Sequence, residues 1–162
     1  MSLWKVSEML DPRVMTDPEK LRSLMVNARR KGREDIASEC RIRLAELAGL
    51  PFEDVLEREF WMALTAAEEF KSAENGKTTR LSRTRQKYAR VGARQVIEDL
   101  AINPKITEGF RILHENGRSD LTFEGVVLRH PEKFAEDVIT AAKDKLLKNG
   151  VDEQTMDGWR QS

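Results

Sequence analysis

Apolar residues recur in steps of three and four along most of the chain, the spacing that lines up one face of an α-helix. Residues 2–10 predict a short helix with Leu3, Val6 and Leu10 on one side, ended by Asp11-Pro12. Thr16-Asp17-Pro18-Glu19 predicts a helix start, with a capping oxygen, a proline in the first turn and an acid near the N-terminus. Leu21, Leu24, Met25 and Ala28 carry that helix to about Lys31, and Gly32 suits its end. Ile36, Cys40, Leu44 and Leu47 predict a second helix from Glu34 to Ala48, ended by Gly49. So short a link requires antiparallel packing, an αα-hairpin.

Leu50-Pro51 opens the longest predicted helix, about Phe52 to Glu74, stopped by Asn75-Gly76. Phe52, Leu56, Phe60, Ala63, Ala67 and Phe70 form its core stripe, while Trp61 and Met62 lie off it and predict burial on a second side. Further on, Ala93–Ile102, Thr107–Asn116 and Leu121–Leu128 predict short helices, with Thr122–Leu128 also open to a strand reading. Pro131–Phe134 begins a last long helix, with Phe134, Val138, Ala142 and Leu146 inward and Asn149-Gly150 at its end. The tail 151–162 is either loose or docked through Trp159. The fold class is therefore all-α: a compact multi-helix domain of about seven helices. It combines an N-terminal αα-hairpin, a long central helix and a C-terminal helical part. Residues 1–162 read as one domain, or as subdomains 1–76 and 77–150 with a tail.

Composition narrows the class. The chain has 162 residues, 40% hydrophobic and 35% charged, which is ample for a core under a well-solvated surface. No apolar run approaches the roughly 18–20 residues of a membrane span, so no membrane partner is expected. Residues 1–10 lack the basic and apolar regions of a secretory signal. The single cysteine, Cys40, has no partner for an internal disulfide. A cytoplasmic protein is the expectation.

Formal net charge is zero, so any affinity for nucleic acid must come from charge segregation. That segregation exists. Residues 51–76 carry seven acids and two bases, whereas residues 77–94 carry seven bases and no acid. On a helix, Arg80, Arg83, Lys87, Arg90 and Arg94 fall within about 80° of arc, a stripe about 20 Å long. Leu81, Tyr88 and Val91 lie on the adjacent face and would dock the helix. Like charges at this spacing repel, and phosphates would offset the repulsion. Arg80, Arg83, Lys87, Arg90 and Arg94 are thus expected on phosphates, Arg85 on a base edge, and Thr79 and Ser82 as hydroxyl donors. Gly92 is expected to break the helix, a loose echo of helix-turn-helix. The competing reading pairs the same cations with Glu53, Glu57, Glu68 and Glu69 of the preceding helix, leaving a protein-interaction or oligomerisation module.

Catalytic patterns are sparse. His114 and His130 have no metal-ligand spacing with each other or with Cys40. Glycine-rich phosphate loops and nucleophile elbows are absent. Glu98, Asp99 and Lys87 are the residues a metal-dependent nuclease would use, but their spacing does not require it. No cofactor is expected, and no catalytic or metal-ligating residue is assigned.

Three stretches carry a resemblance. They are Lys77-Thr-Thr-Arg-Leu-Ser-Arg-Thr-Arg-Gln-Lys87 with Arg90-Val-Gly92, Leu121 to Phe134, and Asn27 to Asp35. Together they resemble a family of small bacterial all-helical proteins that keep company with restriction and other DNA-handling proteins. The resemblance implies DNA as the partner and carries no catalytic residue across.

Overall fold

The computed structural model describes residues 11–160, so the helix expected over 2–10 lies outside the described residues. Among the described residues the protein is all-α, with eight α-helices and no strand. They are α1 (Pro18–Arg30), α2 (Glu34–Gly49), α3 (Val55–Asn75), α4 (Ser82–Ile102), α5 (Glu108–Glu115), α6 (Phe123–Arg129), α7 (Glu136–Lys148) and α8 (Glu153–Trp159).

Local chemistry sets most boundaries. The side chains of Asp17, Asp54, Thr107, Thr122 and Asp152 each accept a hydrogen bond from the first turn of α1, α3, α5, α6 and α8. Thr122–Leu128 is thereby settled as a capped helix, not a strand. Two expected starts move. Asp54 caps α3, so Phe52 stays outside the helix and stacks on Trp61 at 5.9 Å. Pro131–Lys133 forms a separate 3-10 turn, and α7 begins at Glu136. Asp11 likewise caps a 3-10 turn, Pro12–Val14. Gly49 ends α2, as expected. Its role is close approach: a Cβ there would sit 2.6 Å from the Arg58 carbonyl oxygen.

The N-terminal hairpin α1–α2 closes a small cluster of Leu21, Leu24, Cys40 and Leu44. The long α3 is shared between the two larger clusters. Ala66, Ala67 and Phe70 pack with Ala45 of α2 and with Ile112 and Leu113 of α5. Leu56, Phe60, Ala63 and Leu64 pack with α4, α6, α7 and Met156 of α8. Trp159 packs against the same cluster, so the tail docks as a helix. Burial pushes the Cys40 thiol up to about 11.

Two polar devices tie the C-terminal helices together. Lys145 of α7 is buried and donates to Glu124 of α6 at 2.6 Å and to the Leu100 carbonyl at 2.6 Å. Burial pushes the Glu124 carboxyl up, and Lys145 opposes that shift. On the surface, Arg111 and Lys71 grip Glu108 and Glu74, strapping α5 to the end of α3. Hydrogen bonds from Arg111 and then Lys71 hold Glu108 down from 4.5 to about 2.

Two outcomes follow. Lys145→Met strands a buried carboxylate and should cost about 3–5 kcal/mol in urea unfolding, most of it recovered in the double variant with Glu124→Leu. A carboxylate held low stabilises the fold above its unfolded pKa and loses that contribution as pH falls to the folded value. The thermal midpoint should therefore drop between about pH 5 and pH 2. Glu108→Gln should flatten part of that drop, and solvent screening keeps the share small because Glu108 is exposed.

Candidate nucleic-acid interface

Residues 77–81 leave α3 after Gly76 and are pinned before α4 begins. Thr79 N–H donates to Ser72 Oγ at 2.8 Å, and Ser72 Oγ donates back to the Thr79 carbonyl at 3.3 Å. The Thr79 hydroxyl donates to the Lys77 carbonyl and accepts from Asn75 Nδ2. Thr79 is thus a turn-forming residue, and its hydroxyl proton is not free for a phosphate. Ser82, the first residue of α4, is exposed with no bonded side chain.

The buried carboxylate of Glu68 in α3 fixes α4. It accepts from Leu81 N–H at 2.9 Å and from Arg85 Nε and Nη2 at 2.7 Å each. Arg85 also lies over Trp61, 5.4 Å from the ring. Residue 85 is about 200° around the helix from residue 83, so it faces α3 while Arg83 faces out. Arg85 is therefore committed to the fold and not open to a base edge. Tyr88 follows it inward, stacking on Phe60 at 4.6 Å and donating its hydroxyl to Glu57 at 2.7 Å. That bond and burial raise the Tyr88 pKa.

Gly92 interrupts α4 with φ 83 and ψ 173, as its position predicted. The break carries one ion pair across it. Lys87 Nζ meets Asp99 Oδ2 at 2.8 Å. On a straight helix those residues would be separated by a rise of about 18 Å. Only a fold at Gly92 lets them touch. Hydrogen bonds from Lys87 and then Gln95 hold the Asp99 carboxyl low. Beyond the break, Arg94 donates to the Lys133 carbonyl at 2.6 Å, pairs with Glu98 at 3.3 Å and covers the Phe134 ring.

The continuous five-cation stripe does not form. Arg80 lies in the link before the helix, and Gly92 places Arg94 on a different arm. Lys87 and Arg94 are ion-paired, as is Arg85. Val91 is 43% exposed and does not dock. Arg80, Arg83 and Arg90 remain exposed with no ion pair among the described residues. Lys77, outside the expected set, joins them on the same terms. Of the residues in the nuclease reading, Lys87 pairs with Asp99, and Glu98 pairs with Arg94.

Sequence reasoning also missed a basic groove of about 610 Å³ next to the link. It brings Arg22 and Arg29 of α1, Arg41 of α2, and Lys77, Arg80 and Arg85 together. One signal was readable in advance. Arg41 sits between Ala37 and Leu44 on the inner face of α2, where a cation is out of place.

No family model matches the chain, and no curated protein or solved structure matches it. What the molecule does has to be read from its own surface.

Gly92→Ala forces an L side chain into an extended positive-φ conformation that glycine alone adopts readily, and should cost about 1–3 kcal/mol in denaturant unfolding. Loss of the Lys87–Asp99 pair should accompany it, read as a rise of the Asp99 pKa toward the ordinary aspartate value in carboxyl-carbon NMR.

Proposed function

We propose that the protein is a non-catalytic nucleic-acid-binding protein of the cytoplasm, with DNA as its first ligand to test. One observation supports the reading. Lys77, Arg80, Arg83 and Arg90 are exposed and unpaired in an acid-free segment, while Arg85, Lys87 and Arg94 beside them are all paired. The protein-interaction reading, in which internal acids absorb the basic segment, accounts for those three cations and leaves the other four unexplained.

Arg83 and Arg90 are seven residues apart on the first arm of α4, nearly two turns and about 10 Å along one face. At 3.4 Å per base step, that face covers about three phosphates of one strand. Lys77 and Arg80 extend the cationic surface back along the link. With a single tyrosine, stacked inward, the segment offers no platform for bases. The contacts are then mainly to phosphate, which positions a duplex without reading its sequence.

Duplex DNA should bind in fluorescence anisotropy with a log–log salt slope of about −3 to −4, as four neutralised phosphates require. The combined reversal of Arg80, Arg83 and Arg90 to Glu should abolish binding. Lys148→Glu, an exposed change outside the segment, should alter affinity by less than about twofold. No binding at low salt, or full affinity in the triple reversal, would sink the proposal.

A further inference from the structure

The groove beside the link has a feature that the open basic surface lacks: a buried cation with unused donors. Arg41 is 1% exposed. Its Nη1 donates to Glu34 Oε1 at 2.6 Å, and its guanidinium lies 5.3 Å from the Phe70 ring centre. Its Nε and Nη2 have no hydrogen-bond partner. Buried donors are nearly always paired, so two empty ones on a single guanidinium call for an acceptor. Glu34 is a weak counter-ion, because its side chain is 63% exposed.

The groove around Arg41 is strongly positive. Six cations line it against two carboxylates, Glu68 and Glu69. Both carboxylates are already gripped, Glu68 by Arg85 and Glu69 by Arg22. The remaining cations are Arg29, Arg41, Lys77 and Arg80, and Glu34 is the one acid shared by Arg29 and Arg41. Three positive charges are left in excess.

We propose that this groove binds a phosphomonoester, the terminal phosphate of a nucleic-acid strand. The inference rests on the nucleic-acid reading above and names the part of the ligand that seats here. A terminal phosphomonoester carries about −1.5 to −2 at neutral pH, against −1 for each internal phosphodiester, and so suits the charge excess better. Guanidinium forks match phosphate oxygens in pairs. The volume fits a nucleotide-sized ligand, since small-ligand sites span about 300–1,000 Å³. Lys77 and Arg80 line the groove and also belong to the open basic surface, so a strand lying along Arg83 and Arg90 is led to it.

The test compares oligonucleotides of one sequence bearing a 5′-phosphate, a 3′-phosphate or hydroxyls at both ends, with a nucleoside monophosphate as a separate probe. A phosphorylated end should tighten anisotropy binding by about tenfold. The paired change Arg29→Ala and Lys77→Ala, both exposed, should remove that preference while the circular-dichroism melt stays intact. Arg41→Met should remove it too, and if that variant fails to fold the exposed pair still decides. Equal affinity for all three oligonucleotides, with no binding of the nucleoside monophosphate, overturns the inference and leaves salt-dependent DNA binding standing. A preference that survives in the Arg29 and Lys77 variant overturns it as well. Binding of the nucleoside monophosphate without any oligonucleotide binding supports the phosphate site on a free ligand and removes the strand reading.

Discussion

The arrangement of the basic surface depends on the carboxylate of Glu68. It is buried on α3 and accepts three hydrogen bonds, from Leu81 N–H and from both arms of the Arg85 fork. A buried carboxylate is tolerable only when its lone pairs are filled, and a bidentate guanidinium fills them with fixed direction. That requirement sets where α4 starts and how it is rotated. With residue 85 turned toward α3, residues 83 and 90 must turn toward solvent. The exposed cations are exposed because one neighbour is not.

Gly92 supplies the second constraint. Its positive φ ends one helical arm and redirects the next, and Lys87 meets Asp99 across the break. Two opposite uses of basic residues thus share eighteen positions. Arg85, Lys87 and Arg94 hold the segment to the body and to itself, whereas Lys77, Arg80, Arg83 and Arg90 are left over. Zero net charge hides this division, since the balancing acids lie mainly on other helices. Arg41 adds a buried cation on the inner side of α2, paired with Glu34 through Nη1 and with Nε and Nη2 left without a partner. The link between α3 and α4 therefore runs between an open cationic face and a cationic groove.

Much of the helical plan was legible along the chain. The stop at Gly76, the short helices at 108–115 and 123–129 and the break at Gly92 are local events, decided by capping oxygens and backbone freedom. Errors fell where tertiary packing overrides local signals. Phe52 fits the stripe of α3 by spacing, yet Asp54 takes the cap and leaves the ring to stack on Trp61. In the basic segment, spacing on an ideal helix grouped five cations that the observed chain distributes over a link and two arms.

By itself, the sequence determined which stretches are helical, which faces are apolar, and that residues 77–94 concentrate positive charge with no acid among them. Those properties follow from neighbours within a few residues. Which of the seven cations stay free was decided only by the tertiary structure. The deciding partners, Glu68 for Arg85, Asp99 for Lys87 and the Lys133 carbonyl for Arg94, lie 12 to 39 residues away in the chain. An arginine's spacing does not say whether a carboxylate from another turn of the fold will meet it. The groove around Arg41 is the extreme case. Its lining comes from four helices and a link, and its charge excess exists only where they converge.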